Sequence, residues 1–516
     1  MSDRKLRWLG LGLAATVGAG VLGLSAMMNP AFAHADDIGL VMGGSDLPIP
    51  GPTYVEAADG LYLNNPFTTL YPDLTFYQAT PTNEFGNGLF TPEGAYPLFG
   101  GGVHQLQYNY PLDSNGLPSL TTSVGQGAAI LQSTVLSDQA AGDASTVFGY
   151  SQSSTLSGIA MQLLDPSGTP QTGPLDPQFL LIADPNAPNG GLFERFNGFE
   201  TLTGNTTVNP LNLAALGFSF NGATPSDDYV SNVYTLEYDG FADFPRYPLN
   251  FLSDVNAFLG IAELHGTYLN GGVDGSGPTP TDIADAVLLP GSAADGTADS
   301  LTNYYMIDTL GGEPVTAPLV GLLPTQLQEL LGPDLTYLIN LGYGDGTLGY
   351  SDTAANVATP FGLFPSDVSL STVLSTLATD TEQGVQNLMS GTDPYSAALD
   401  PASGATSLTD LWSALSADAA NPAASFTDFV NALSSAASTL YSTLLPTADI
   451  INALVTSLPS WETSIFTDAL STGDIVDALG LPLAGTTAIG TLAAGFEYEI
   501  LSTAISQAAA DFSGLF

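Results

Sequence analysis

Gly149-Tyr150-Ser151-Gln152-Ser153 is the stretch of this sequence with the clearest chemistry. A serine exposed at a sharp strand-to-helix turn needs small residues two positions to either side, because strand and helix pass too closely for larger side chains. Gly149 and Ser153 meet that need. Residues 146–148, β-branched and aromatic, read as the strand before the turn, and a helix is expected over 154–164. Such a turn sets the serine hydroxyl near the positive end of the helix and offers the Gln152 N–H to a developing oxyanion. The chemistry it implies is acyl transfer through a covalent acyl-serine.

A serine of this kind needs a histidine as general base and an acid to orient it, in the chain order serine, acid, histidine. His34 and His104 precede Ser151, which leaves His265 at the end of an apolar run over 257–264. Three carboxylates could serve as the acid. Asp239 follows the apolar run 233–238 and precedes Gly240, where a carboxylate at a strand end can reach the histidine Nδ1–H; it is the first choice. Asp243 lies one turn later and is the alternative, and Asp184 ends the run 179–183. The second oxyanion donor is expected from the loop after an early strand. Residues 38–42 enter Gly43-Gly44-Ser45, where glycines let the backbone approach a substrate and Ser45 can add a hydroxyl. Gln152, Gly44 and Ser45 are therefore the expected oxyanion set. Asp274 and Asp282 lack EF-hand spacing, so neither a metal nor a cofactor is expected.

The elements that would carry these residues alternate strands with helices, as an α/β fold with a mostly parallel sheet requires. Residues 105–110 read as a further strand, and Ala128, Leu131, Val135 and Leu136 fall at helical spacing over 125–138. From about 350 the character changes to Ala, Ser, Thr and Leu. Phe426, Phe429, Val430, Leu433, Ala437, Leu440, Tyr441 and Leu444 form an amphipathic stripe, with a stop expected at Pro446. Ile450, Ile451, Leu454, Val455 and Leu458 form another, with a stop expected at Pro459, and Leu408, Leu411, Trp412 and Leu415 a shorter one. These helices are expected to pack on each other and on the preceding domain, with partner or lipid docking as the alternative.

The segment 149–153 and its flanks resemble the hydrolase domain of the PE-PPE family, a cutinase-like α/β hydrolase found in mycobacterial envelope proteins. Further stretches are similar in the same order: Val41–Ser45 with 48–50, 188–192 with Arg195-Phe196, 238–245 through His265-Gly266-Thr267-Tyr268, and Asp334-Leu335 through 340–343. The resemblance covers about 38–348. It implies a serine esterase or lipase acting on lipid or other acyl esters, or an acyltransferase building envelope glycolipids such as acyl-trehaloses. A non-catalytic envelope protein with a functional helical tail is the rival class. The sequence departs from true cutinases in having no cysteine and in placing Ser153 where they have glycine. It departs from typical members of the family in opening on a signal-like segment. The chain is read as 1–35 signal peptide or anchor, 36–348 hydrolase domain and 349–516 helical region.

Charge and leader set the surroundings. Arg4, Lys5 and Arg7 precede an uncharged stretch over 8–30, and Ala31-Phe32-Ala33-His34-Ala35 offers small residues for cleavage, so export is expected. From residue 36 onward, 50 acids (51 less Asp3) face only Arg195 and Arg246, a net charge of about −48. Nucleic acid and anionic lipid headgroups need a basic footprint, so both are excluded as partners. With no cysteine, stability rests on packing alone.

Overall fold

The computed structural model describes residues 36–94, 123–196, 222–272, 277–296, 299–391 and 426–513, apart from 69 and 72, with short strand pairs between 201 and 219. His34, His104, the 105–110 run, Asp274 and the 408–415 stripe lie outside the described residues.

Runs of branched apolar residues without polar alternation make strands that must be covered on both faces. The strands are β1 (Asp37–Val41), β2 (Thr75–Phe76), β3 (Ala144–Tyr150), β4 (Gln178–Ile182), β5 (Ser231–Leu236), β6 (Val287–Leu288) and β7 (Thr302–Ile307), of which β3, β4 and β5 are buried along almost their whole length. They form one sheet in the order β6-β7-β5-β4-β3-β1-β2, parallel throughout except for β6 against β7. Leu40, Val147, Phe179, Leu181 and Val233 enter one core. Val41, Phe148, Leu180, Ile182 and Tyr234 enter a second. The alternation along each strand thus feeds two helical layers, the architecture of an α/β fold with a mostly parallel sheet. Strand order reverses between β1 and β3, and in open parallel sheets ligands bind in the crevice outside such a switch point.

Helices α1 (Ser123–Ala141) and α2 (Gln152–Leu164) cover one face together. They approach closely because a Cβ on Gly127 would come within 2.6 Å of the Leu156 side chain. Helix α3 (Phe251–Glu263) runs from the acid loop toward His265, and α4 (Thr325–Asn340) closes the region before 350. Strand β3 and helices α1 and α2 are longer than the sequence runs that announce them, whereas β1, β4 and β5 keep the length of theirs and shift one or two residues toward the N-terminus. The shift matters most at β5, which ends at Leu236: Tyr238 takes a left-handed turn (φ 66°), so Asp239 sits in that turn and not at the strand's last position.

Residues 36–516 make one compact unit, and the later helices lie on it. They are α5 (Leu370–Ser390), α6 (Phe426–Ser442), α7 (Leu444–Asn452), α8 (Leu458–Thr472) and α9 (Ile475–Ser513). Helix α6 ends four residues before Pro446, whose ring would clash with the carbonyl at that distance. Pro459 does not end its stripe as expected. A π-turn over Ala453–Ser457 loosens the helix there. Pro459 then falls in the first turn of α8, where its missing N–H has no intrahelical acceptor to lose. Within α9, Ile475–Ala508 is the one helical stretch among the described residues long and apolar enough to cross a membrane. Its inner face, Ala484, Ala488, Leu492 and Phe496, is buried in the protein.

Trp461 of α8 joins the tail to the sheet layers. It is fully buried, its ring lies near Phe196 and Phe361, and a Cβ on Gly485 would come within 2.3 Å of it. Trp461→Ala is expected to cost about 3–5 kcal/mol in urea unfolding. A loss under about 1 kcal/mol would mean that the tail is not docked as described.

Burial also loads the fold with carboxylic acids that resist ionisation. Desolvation pushes Glu93, Glu237 and Asp254 well above the carboxylate range. It pushes Glu263 up to about 7, and Asp184 up to about 6 against hydrogen bonds from Thr224 and Asn186. Groups held above their unfolded values bind more protons in the folded chain. Their contribution is complete below the ordinary carboxylate range and is lost as pH rises through about 6 to 7. The urea midpoint is therefore expected to be higher at about pH 5 than at about pH 8. A midpoint that rises over that interval would contradict this reading of the interior.

Candidate active site

Strand β3 is buried along both faces, so the chain leaving it must turn at once to put a side chain into solvent. It does so at Ser151, whose backbone is left-handed (φ 57°, ψ −112°) and which directly precedes α2. A Cβ on Gly149 would come within 2.9 Å of the Ser153 carbonyl oxygen, so the turn closes only over glycine there. Ser153 fits at the other small position because its hydroxyl is used locally. The Tyr150 N–H donates to Ser153 Oγ at 2.7 Å, and Ser153 Oγ donates to the Tyr150 carbonyl at 3.1 Å. The Ser151 N–H is held by the Ile182 carbonyl of β4 at 3.1 Å.

Three separate segments meet at the serine. His265 Nε2 lies 2.8 Å from Ser151 Oγ, and its Nδ1 lies 2.9 Å from each oxygen of Asp239. The histidine side chain is 13% exposed and the aspartate fully buried, so the line runs from the solvent edge into the protein. Asp239 accepts two more bonds, from the Phe241 N–H at 3.1 Å and from Tyr268 Oη at 2.8 Å. Tyr268 is itself fixed, since its hydroxyl accepts from the Leu236 N–H at 2.7 Å and Tyr62 donates to its carbonyl at 3.1 Å. Tyr150 donates to the His265 carbonyl, and its ring lies 5.9 Å from the imidazole.

The other two aspartates are occupied elsewhere. Asp243 accepts from the Tyr238 N–H at 3.0 Å. Burial pushes its carboxyl well above the usual range, against the pull of Arg195. It therefore shapes the loop that presents Asp239 and makes no bond to His265 of its own. Arg195 is fully buried and donates to the Phe244 and Thr359 carbonyls at 3.1 and 2.6 Å and to Asn189 at 3.1 Å. Burial brings it down to about 10, with Asp243 opposing. Asp184 accepts from Thr224 at 2.7 Å and from the Asn186 N–H at 3.0 Å, pinning the loop after β4.

The expected oxyanion residues gather about Ser151. Gly44 follows β1, and a Cβ there would lie 3.6 Å from Ser151 Cβ, so its backbone borders the serine. Gly43 closes the turn, since a Cβ would fall 2.2 Å from the Leu47 carbonyl oxygen. Gln152 opens α2, where its N–H has no intrahelical acceptor. Its side chain does work that its position in the motif does not announce. Gln152 Nε2 donates to Ser45 Oγ and the Gly94 carbonyl, each at 3.0 Å, and its Oε1 accepts from Ser123 Oγ at 2.7 Å. The glycine turn, residue 94 and the start of α1 are thereby tied to the helix that follows Ser151. Asp282 caps a short helix through Thr279 and accepts the Gly311 and Gly312 N–H groups. Among the described residues no cluster of three or more metal-ligating side chains forms.

Residues 81–344 match the PE-PPE domain. The match opens after β1 and the glycine turn, which nevertheless complete its sheet. The "Uncharacterized PPE family protein PPE28" of Mycobacterium tuberculosis is 36% identical over 523 residues, covering 96% of this chain and 70% of that protein. "Esterase PE16" of the same organism is 41% identical over 254 residues, 48% of this chain and 42% of the relative. "PE family protein PE3", again from that organism, is 35% identical over 355 residues, 67% and 62% of the two chains. The chain thus spans well over half of two of these relatives and under half of the esterase. No solved structure matches it. On the domain match and the breadth of the likeness to PPE28, the chain belongs to the PE-PPE domain family.

Proposed function

We propose that the protein is an exported serine esterase that cleaves acyl esters through an acyl-Ser151 intermediate. The observation that carries the reading is the unbroken line Ser151–His265–Asp239 at a strained turn on the sheet's switch point. Asp239 holds the proton of the imidazole on Nδ1, which leaves Nε2 free to accept the Ser151 proton as Oγ attacks the ester carbonyl. The carbonyl oxygen gains charge and is met by the Gln152 N–H and by backbone N–H groups of the Gly44-Ser45 turn. Collapse expels the alcohol, which takes the proton from His265, and water then repeats the sequence to release the acid. A fatty or other apolar acyl chain suits the rim. Pro48 and Pro50 pair through their carbonyls with the Thr91 and Gly88 N–H groups, which brings exposed Ile49 and Phe90 to one edge of the oxyanion loop.

The name of the esterase relative supports hydrolysis, and the same intermediate would serve an acyltransferase if a sugar hydroxyl replaced water. Product analysis with trehalose as acceptor separates the two, a new acyl-sugar marking transfer. Export is read from the first 35 residues, and N-terminal sequencing of the protein recovered outside the cytoplasm tests it.

Ser151→Ala is expected to abolish hydrolysis of short nitrophenyl esters and leave the unfolding midpoint within error. Retention of more than about a tenth of the wild-type rate would remove Ser151 from its role. Asp239→Asn should lower kcat about 10⁴-fold, since an amide no longer selects the working tautomer. Asp243→Asn should cost far less. Comparable losses at both positions would count against Asp239 as the acid.

A further inference from the structure

Phe241 stands between the acid and the histidine in two ways. Its N–H donates to Asp239 Oδ1, and its ring centroid lies 4.7 Å from that of His265, tilted by 59°. The same ring stacks on Phe496 of the C-terminal helix, centroids 6.4 Å apart and planes 28° from parallel. Phe496 is gripped in turn by Phe258 of α3, edge-on at 5.8 Å and 86°. The helix gets this near because residue 495 is glycine: a Cβ there would fall 2.4 Å from the Phe258 ring. Phe241 and Phe496 are both buried. A continuous apolar stack therefore runs from the last helix of the chain, across more than 250 residues of sequence, to the face of the imidazole.

We propose that Phe496 is a positioning residue for His265, so that the C-terminal helix completes the active site from behind. The imidazole must hold Ser151 Oγ and Asp239 at once, and its remaining freedom is rotation about its own side-chain bonds. The Phe241 ring limits that rotation only while something backs it. Phe496 is that backing, and without it the ring can swing into the space vacated and the imidazole can follow. Displacement of a reacting group by about 1 Å costs on the order of 10²-fold in rate. The inference rests on the acyl-transfer reading above.

The test uses the full-length chain and a short nitrophenyl ester, with Phe496→Ala, Phe496→Leu and, as a control, Ile465→Ala. Ile465 is buried in α8 and forms no part of the site. All are assayed at a temperature where circular dichroism shows each variant folded. Phe496→Ala is expected to lower kcat by about tenfold or more with KM within about twofold, because the substrate contacts are untouched. Phe496→Leu, which refills most of the space, should recover most of the rate. Ile465→Ala should keep the wild-type kcat despite its own loss of stability. Wild-type kcat in Phe496→Ala, an equal loss in Ile465→Ala, or a loss confined to KM would each overturn the inference while leaving the esterase reading intact. A wild-type protein without any turnover would instead sink that reading, and the inference with it.

Discussion

Ser151 holds a backbone conformation that a residue with a side chain resists, and the surrounding structure exists largely to keep it there. A left-handed φ at a non-glycine position costs on the order of 1–3 kcal/mol. The cost is borne by a central strand with neighbours on both sides. The Ser151 N–H is taken by β4, the Ser153 hydroxyl closes back on Tyr150, and the Ser151 carbonyl receives the N–H groups of Ser154 and Thr155. Gly149 supplies the missing volume. Relaxing any of these would let the turn open and draw Oγ away from the imidazole.

The other members of the site come from loops at the same edge of the sheet, and each is fixed by groups far off in sequence. Tyr268 lies 29 residues from Asp239 and Tyr150 lies 115 from His265, yet both hydroxyls end on the histidine–acid pair or its backbone. Arg195, one of two cations after residue 35, is spent on three carbonyl-type acceptors beneath the loop that carries Asp239 and does not face solvent. The tail helices belong to the same logic, since Trp461 and Phe496 reach the layers beneath the site from α8 and α9.

What the sequence made legible follows from the range of each signal. The strand-to-helix turn at Ser151 could be read because its requirements, a small residue on each side and a strand and helix flanking, all lie within a few positions of Ser151. The glycine turn before Ser45 and the buried parallel strands are local in the same sense. The choice among Asp239, Asp243 and Asp184 was not local. It depends on how a left-handed residue at Tyr238 redirects the chain, and periodicity carries no trace of that. The hydroxyls of Tyr150 and Tyr268, the side-chain bonds of Gln152 and the Phe241–Phe496 stack have no signature, because their partners are set by the fold. Pro459 was misleading for a local reason, a π-turn that absorbs the proline where an α-helix would have ended.

Covalent trapping measures directly whether His265 and Asp239 activate this one serine among many. The intact protein would be incubated with a fluorophosphonate near neutral pH, digested and mapped by mass spectrometry. A single adduct is expected, on the peptide that contains Ser151, with labelling slowed by orders of magnitude in His265→Ala. An unmodified Ser151 peptide in the folded wild-type protein, or an adduct whose rate ignores the histidine, would contradict that activation.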